Sequence, residues 1–204
     1  MNDLKRCKMH ASALLAGLLC VPTASWAAFT YDESVDGDLS GDGLTPTVLV
    51  AGAGVNTLAG TTAPGDLDYL TFNVGAGLQL DAIVLVAYSA DDVAFAAVQN
   101  GAIFTEPPGD PDAGNLLGWV HFGPDLLGTD ILDDMGLGAG AIGFTPPLPS
   151  GDYSFWLQNT NVDIAYEMHF VISAVPVPAA LPLLGWGLLA LGGYARLRSK
   201  GARA

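Results

Sequence analysis

Hydrophobic and polar residues alternate over short stretches in the middle of the chain. In residues 68–74 (DYLTFNV), Tyr69 and Thr71 share one face of a predicted strand and the Leu, Phe and Val side chains share the other. Residues 78–88 (LQLDAIVLVAY) begin with this alternation and become continuously apolar, which is typical of a central strand. Further strands are predicted at 93–99, 119–122, 153–158 and 165–172, with weaker ones at 47–50 and 56–61.

Turn-forming residues, such as Asn100-Gly101, separate these strands. About eight short strands with this spacing predict an all-β fold, a single antiparallel β-sandwich or jelly roll. Residues 131–135 are compatible with one helical turn. Residues 105–115 and 136–150 are rich in Pro and Gly, and we expect them to form loops at the ends of the sandwich.

The first 27 residues have the three parts of a secretory signal peptide. Three basic residues precede an apolar segment, residues 11–21, which is too short to span a bilayer permanently. Small residues then predict cleavage between Ala27 and Ala28, after export by the Sec machinery. Alternative interpretations are a buried N-terminal helix or a lipoprotein signal at Cys20.

A stretch without charged residues occupies positions 179–195. As a helix rising ~1.5 Å per residue it would be about 25 Å long, slightly shorter than the hydrocarbon core of a bilayer. The basic residues after it predict a transmembrane helix with a cytoplasmic end: Arg196, Arg198, Lys200 and Arg203. The alternative is a buried C-terminal helix of the globular domain.

The motif before this stretch is Val175-Pro176-Val177-Pro178-Ala179. Together with the apolar span and the basic end, it resembles the PEP-CTERM sorting signal in its VPxPA variant. The resemblance implies recognition by a membrane-embedded exosortase and cleavage near the Pro motif. It also implies transient anchoring in the inner membrane and export to the surface or matrix of a Gram-negative bacterium, often alongside exopolysaccharide.

The distribution of charged residues divides the chain into the same three parts: the signal peptide, the central strands and the C-terminal sorting segment. No Lys or Arg occurs between Met9 and Ala195, and Asp3 is the one acid of the chain's 21 that lies outside 32–167. A domain without cations cannot neutralise phosphates, which argues against nucleic acid as a partner. We therefore predict a signal peptide (1–27), an acidic β domain without Cys (28–174) and a sorting segment (175–204).

Oxygen-bearing side chains recur at alternate positions early in this domain: Asp36, Asp38, Ser40 and Asp42. With Gly41 at the sixth position, they match the first half of an EF-hand calcium loop. The twelfth position, which should supply a bidentate Glu, is Thr47, so Asp32 or Glu33 would have to complete the set. Ca²⁺ is the one cofactor that the sequence suggests here, and the alternative is a solvated Asp- and Gly-rich turn.

Catalytic motifs are missing from the sequence of the domain. Its two histidines, His121 and His169, belong to no metalloprotease motif, and no G-x-S-x-G elbow occurs. We expect both to be solvated strand residues, assign no catalytic residue and predict that the chain is not an enzyme. A hydrolase would require a polar cleft around one of these histidines.

Aromatic residues on the predicted strands suggest a second function. Trp119, Tyr153 and Trp156 could stack on sugar rings, as in a carbohydrate-binding module that uses Ca²⁺. The alternative for these rings is packing in the hydrophobic core. Exposed, coplanar rings would favour sugar binding, whereas buried rings would favour a structural role.

The sequence GDLDYLTF at 65–72, followed by a Gly turn and an apolar strand, has a counterpart later in GDYSF at 151–155. This pattern is similar to bacterial pre-peptidase C-terminal domains. The resemblance implies an extracellular β-sandwich with a binding or stabilising role. The favoured function is an exported, non-catalytic protein of the cell envelope or extracellular matrix, associated with exopolysaccharide or biofilm.

Overall fold

A computed structural model of the protein describes residues 27–176. Strands make up most of its regular secondary structure: β1 (Thr30–Asp32), β2 (Thr47–Val48), β3 (Gly54–Thr62), β4 (Leu67–Val74), β5 (Leu78–Tyr88), β6 (Ala94–Asn100), β7 (Gly118–Phe122), β8 (Gly151–Gln158) and β9 (Ile164–Ala174). The helices are short: α1 (Glu33–Asp36), α2 (Ile131–Gly136) and two single 3₁₀ turns, Ala113–Asn115 and Pro124–Leu126.

Several sequence predictions concern residues outside this segment. The signal peptide up to residue 26, the apolar stretch 179–195 and the four basic residues after it all lie outside the described residues, as do Val177, Pro178 and Ala179. Within 27–176, no helix combines the length and the apolarity that crossing a membrane requires.

The strands form two sheets that face each other, with the orders β1-β3-β9-β5 and β2-β4-β8-β6-β7. The fold is therefore all-β and sandwich-like, as the strand pattern predicts. The long strands pair antiparallel, but β1 pairs with β3 and β2 with β4 in parallel, so the sheets are mixed and not purely antiparallel. Parallel pairing needs a crossover, and in both cases the chain visits the opposite sheet between the two partners.

The main hydrophobic core lies between the sheets. Every second residue of β9 from Ile164 to Ile172 is buried, and the inward side chains of β4, β5, β6, β7 and β8 pack against them. Phe72, Phe155 and Phe170 join both sheets, with ring centroids 5.2–5.4 Å apart. The alternation that predicts these strands therefore also builds the core.

The outer face of the five-stranded sheet carries a second, smaller apolar cluster. Tyr69 on β4 and Trp156 on β8 stack there with ring centroids 5.9 Å apart, and both side chains are almost fully buried. Phe104 and Leu116, from the segment between β6 and β7, pack over them. The two ends of the Pro- and Gly-rich stretch 105–115 therefore cover a sheet face, where Phe104 and Leu116 remove aromatic area from water.

The second Pro- and Gly-rich stretch, residues 136–150, also packs on this face. We call the segments 101–117 and 136–150 the covering loops. Ala141 packs against the cluster, and the indole N–H of Trp119 donates a hydrogen bond to the carbonyl of Ala139, 3.0 Å away. The amide of Ile142 also donates to the carbonyl of Leu116 and so joins the two stretches.

The predicted elements are found in place. Residues 78–88 coincide with β5, no other predicted strand ends more than two residues from its observed bound, and the helical turn at 131–135 is α2. The pattern misses β1, α1 and the two 3₁₀ turns, because elements of three or four residues are too short to show a period.

Candidate metal centre

The side-chain oxygens of the predicted calcium loop do not converge on a single position that an ion could occupy. Asp36 ends α1, and its carboxylate accepts a hydrogen bond from the amide of Asp32. The Asp42 carboxylate instead accepts from the amide of Leu44 and the hydroxyl of Thr45, which closes a local turn. Ser40 likewise makes hydrogen bonds within this turn, through its hydroxyl to Asp42.

The fourth member of the predicted set, Asp38, belongs to a different group. One carboxylate oxygen each from Glu33, Asp38 and Asp68 lies within 4.8 Å of the other two. We call these three residues the acidic corner. Glu33 begins α1, Asp38 follows that helix, and Asp68 is the second residue of β4, in the opposite sheet from β1.

Asp68 occupies a core-facing position. It lies on the same side of β4 as Leu70 and Phe72, and its side chain is fully buried. Its Oδ2 accepts a hydrogen bond of 2.9 Å from the hydroxyl of Tyr166 on β9, so the contact joins the two sheets. Its Oδ1 has no hydrogen-bond partner among the described residues. Leaving a buried carboxyl oxygen without a partner is costly in either protonation state.

Glu33 attaches the N-terminal segment to the rest of the fold. Its Oε1 accepts from the amide of Leu39 at 3.1 Å, and its Oε2 accepts from the amide of Thr61 on β3 at 2.6 Å. Gly60 makes this approach possible, since a Cβ there would lie 2.7 Å from the Tyr166 hydroxyl oxygen and 3.0 Å from the Glu33 carboxyl carbon.

An open cleft of about 350 Å³ adjoins the acidic corner, and Glu33, Asp38 and Tyr166 line part of it. Glu33 is half-buried and Asp38 is exposed, so the corner has a buried floor at Asp68 and a solvent-facing rim. Small ions and water can therefore reach the rim from outside.

Burial and repulsion between carboxylates govern the protonation of the site. Burial, followed by the charge of Glu33, raises the pKa of Asp68 to about 8. Burial also raises the pKa of Glu33, although the amides of Thr61 and Leu39 oppose the shift. The pKa of Tyr166 lies well above its usual range because of burial and the neighbouring Asp68. Without a cation, the site therefore holds a proton at neutral pH.

The sequence contained part of this site. Glu33 was a candidate to complete the calcium loop, and Asp68 stands in the run GDLDYLTF without a predicted role. A sign of its importance was available, because an acidic residue at the apolar phase of an alternating strand has to be buried.

The aromatic residues proposed for sugar binding do not form a common exposed surface. Tyr153 faces the core between the sheets and Trp156 lies under the covering loops, on opposite faces of β8, and each is almost fully buried. Trp119 is half-buried beside Phe95, with ring centroids 6.0 Å apart. In this conformation the rings pack against protein.

The two histidines lie on different sheets and outside the acidic corner. His121 on β7 is exposed, and its ring contacts those of Trp119 and Phe95 edge-on. His169 on β9 is paired with Glu167, with Nε2 and Oε1 3.0 Å apart. Neither lines the cleft beside the acidic corner.

Comparisons of the chain with protein-family models, curated proteins and solved structures found no match.

Proposed function

We propose that this chain is an exported, non-catalytic protein of the cell envelope or extracellular matrix of a Gram-negative bacterium. The observation that carries the proposal is the agreement between the limits of the fold and the flanking sequence signals. β1 begins at Thr30, just after the expected cleavage before Ala28, and β9 ends at Ala174, next to the Pro motif that starts at Val175. The described strands therefore begin after one expected cleavage site and end before the other.

In this proposal the Sec machinery exports the chain, and the 179–195 segment then holds it in the inner membrane. An exosortase-type enzyme reads the motif at Val175–Ala179, and the basic end stays in the cytoplasm. After processing, the acidic domain is released to the surface or matrix, where exopolysaccharide is the partner class. Nucleic acid is not proposed as a partner, because residues 27–176 carry no Lys or Arg to neutralise its phosphates.

We assign the domain to the jelly-roll class of β-sandwiches, with a binding or stabilising role. The alternation of consecutive strands β3, β4, β5 and β6 between the two sheets supports this class. The non-catalytic role is supported by the positions of His121 and His169, which are on separate sheets and have aromatic or carboxylate neighbours.

The test is to produce the full chain in a Gram-negative host that has an exosortase, and in the same host without it. We expect the exported protein to begin at Ala28 and to have lost its basic end, as measured by N-terminal sequencing and intact mass. Without the exosortase, the chain should stay in the inner-membrane fraction at its longer mass.

Substitution of the motif gives a sharper version of the experiment. Pro176→Ala combined with Pro178→Ala should leave the chain unprocessed in the membrane. The matched control is Pro107→Ala with Pro108→Ala, because these prolines are exposed in the covering loop. Retention of an uncleaved N-terminus in the cytoplasm, or equal processing of both double variants, would contradict the proposal.

A further inference from the structure

We infer that the acidic corner of Glu33, Asp38 and Asp68 is a Ca²⁺ site that fastens the N-terminal segment across the edge of the sandwich. This inference goes beyond the proposed function and does not depend on where the protein is sorted. The site also differs from the loop of alternating acids in the sequence, from which it takes Asp38 alone.

The unpartnered oxygen of Asp68 is the first argument. Asp68 is fully buried, its Oδ2 is held by Tyr166, and its Oδ1 has no partner among the described residues. The indole nitrogen of Trp156 and the hydroxyl of Tyr88 also lack partners. Those are single neutral groups outside any set of converging carboxylates, whereas Asp68 belongs to one.

The spacing of the ligands is the second argument. Three carboxylate oxygens within 4.8 Å of one another lie no more than about 2.8 Å from one common point, so small side-chain movements bring all three to the Ca²⁺–oxygen distance of about 2.4 Å. All three ligands are hard oxygen donors, and the adjoining cleft leaves room for the waters that complete a coordination shell of six to eight.

The charge of the surroundings is the third argument. No Lys or Arg occurs anywhere in residues 27–176, so a side-chain cation from this segment cannot balance the acidic corner. Asp66, which precedes β4, adds another acid nearby. A divalent cation from the medium would supply the missing positive charge and a partner for the Asp68 carboxylate together.

Cation binding would have a structural consequence at the edge of the fold. Glu33 and Asp38 flank a short segment that includes α1, whereas Asp68 belongs to the opposite sheet and contacts β9 through Tyr166. One ion therefore links the N-terminal segment, β4 and, through Tyr166, β9. Without the ion, the same segment is held by the pairing of β1 with β3 and the hydrogen bonds of Glu33.

The experiment uses the full chain in a mild non-ionic detergent, treated with EDTA and then titrated with CaCl₂ at constant ionic strength. Calorimetry should detect binding, and the melting temperature should rise by about 5–10 °C when Ca²⁺ exceeds its dissociation constant a hundredfold. MgCl₂ should bind more weakly, because Mg²⁺ demands a tighter octahedral shell. Identical melting curves in EDTA and in excess Ca²⁺ would overturn the inference.

Asp68→Asn is the decisive variant, because it keeps the size of the side chain and an acceptor for Tyr166 while removing a charged ligand. We expect its Ca²⁺ affinity to fall by about 100-fold and its melting temperature in EDTA to equal or exceed that of the wild type. Asp110→Asn, at an exposed loop position, is the charge-matched control and should bind like the wild type.

Asp38→Asn covers the case in which Asp68→Asn does not fold, because Asp38 is exposed on the rim. It should weaken Ca²⁺ binding by about 10-fold without changing the melting temperature in EDTA. Asp42→Asn tests the loop suggested by the sequence. Loss of binding in Asp42→Asn with normal binding in Asp38→Asn would place the ion in that loop and overturn the assignment.

Discussion

Asp68 and Tyr69 are neighbours on β4, yet their side chains enter two contrasting regions. Tyr69 points to the outer face, where Trp156 and Phe104 surround it with rings. Asp68 points between the sheets into the acidic corner, where one of its oxygens has no partner. Both side chains are buried, but the covering loops complete the aromatic cluster, while the acidic corner lacks a counter-charge from residues 27–176. Burial by itself therefore does not distinguish a side chain whose surroundings satisfy it from one that still lacks a partner.

Among single substitutions, the largest effect should come from breaking the aromatic cluster. Trp156→Ala removes a ring that is 1% exposed, and we expect the free energy of unfolding in urea to fall by about 3–5 kcal/mol. Trp119→Ala, at a half-buried ring, is the control and should cost less. A loss below about 1 kcal/mol for Trp156→Ala would mean that the covering loops do not pack as described.

The acidic corner should instead respond to pH when EDTA is present. The pKa of Asp68 is about 8 in the fold and 3.8 in the reference state, so between these values the folded chain holds a proton that the unfolded chain has lost. Stability should therefore fall as pH rises from about 4 to 8, by up to about 1.4 kcal/mol per unit, and then level off. Burial raises the pKa of Tyr69 to about 12, so this neighbour stays neutral throughout.

Urea unfolding at several pH values measures this slope. Asp68→Asn should flatten it, and Asp110→Asn should leave it unchanged. Glu33 and Asp66, whose pKa values are raised by burial, also contribute to the profile. A wild-type slope equal to that of Asp68→Asn would show that the buried carboxyl does not titrate as its surroundings require.

A moderate effect is expected at Gly60, where the acidic corner meets β3. Gly60→Ala places a methyl group 2.7 Å from the Tyr166 hydroxyl and 3.0 Å from the Glu33 carboxyl carbon, which should cost about 1–3 kcal/mol in urea unfolding. Gly109→Ala is the matched control, since a Cβ there meets no atom within 4 Å. Equal stability of the two variants would contradict the close approach of Glu33 to β3.

The smallest effect should come from monovalent salt. Because residues 27–176 carry acids without Lys or Arg, raising NaCl from about 0.02 to about 0.5 M in EDTA should increase the melting temperature by a few degrees through screening. Trp156→Ala should show the same salt response as the wild type, because its cluster holds no charge. A melting temperature that fell with NaCl would refute the role of self-repulsion.

The strands could be predicted because alternation is a local signal. The acidic corner could not, since Glu33 and Asp68 meet only after β1 pairs with β3 and β4 crosses to the opposite sheet. The spacing of Asp36, Asp38 and Asp42 was misleading, because α1 and the turn at Asp42 use two of these carboxylates to cap backbone amides. For Trp156 the sequence left burial and exposure open, because the loop that covers this ring has no periodicity.

The order of strands in the sheets also has a consequence for the timing of folding. β9 lies between β3 and β5, and β8 lies between β4 and β6, so the last two strands of the chain occupy central positions. During synthesis from the N-terminus, the earlier strands cannot complete either sheet until these two emerge. We therefore expect both sheets to be completed only after the last two strands have been synthesised.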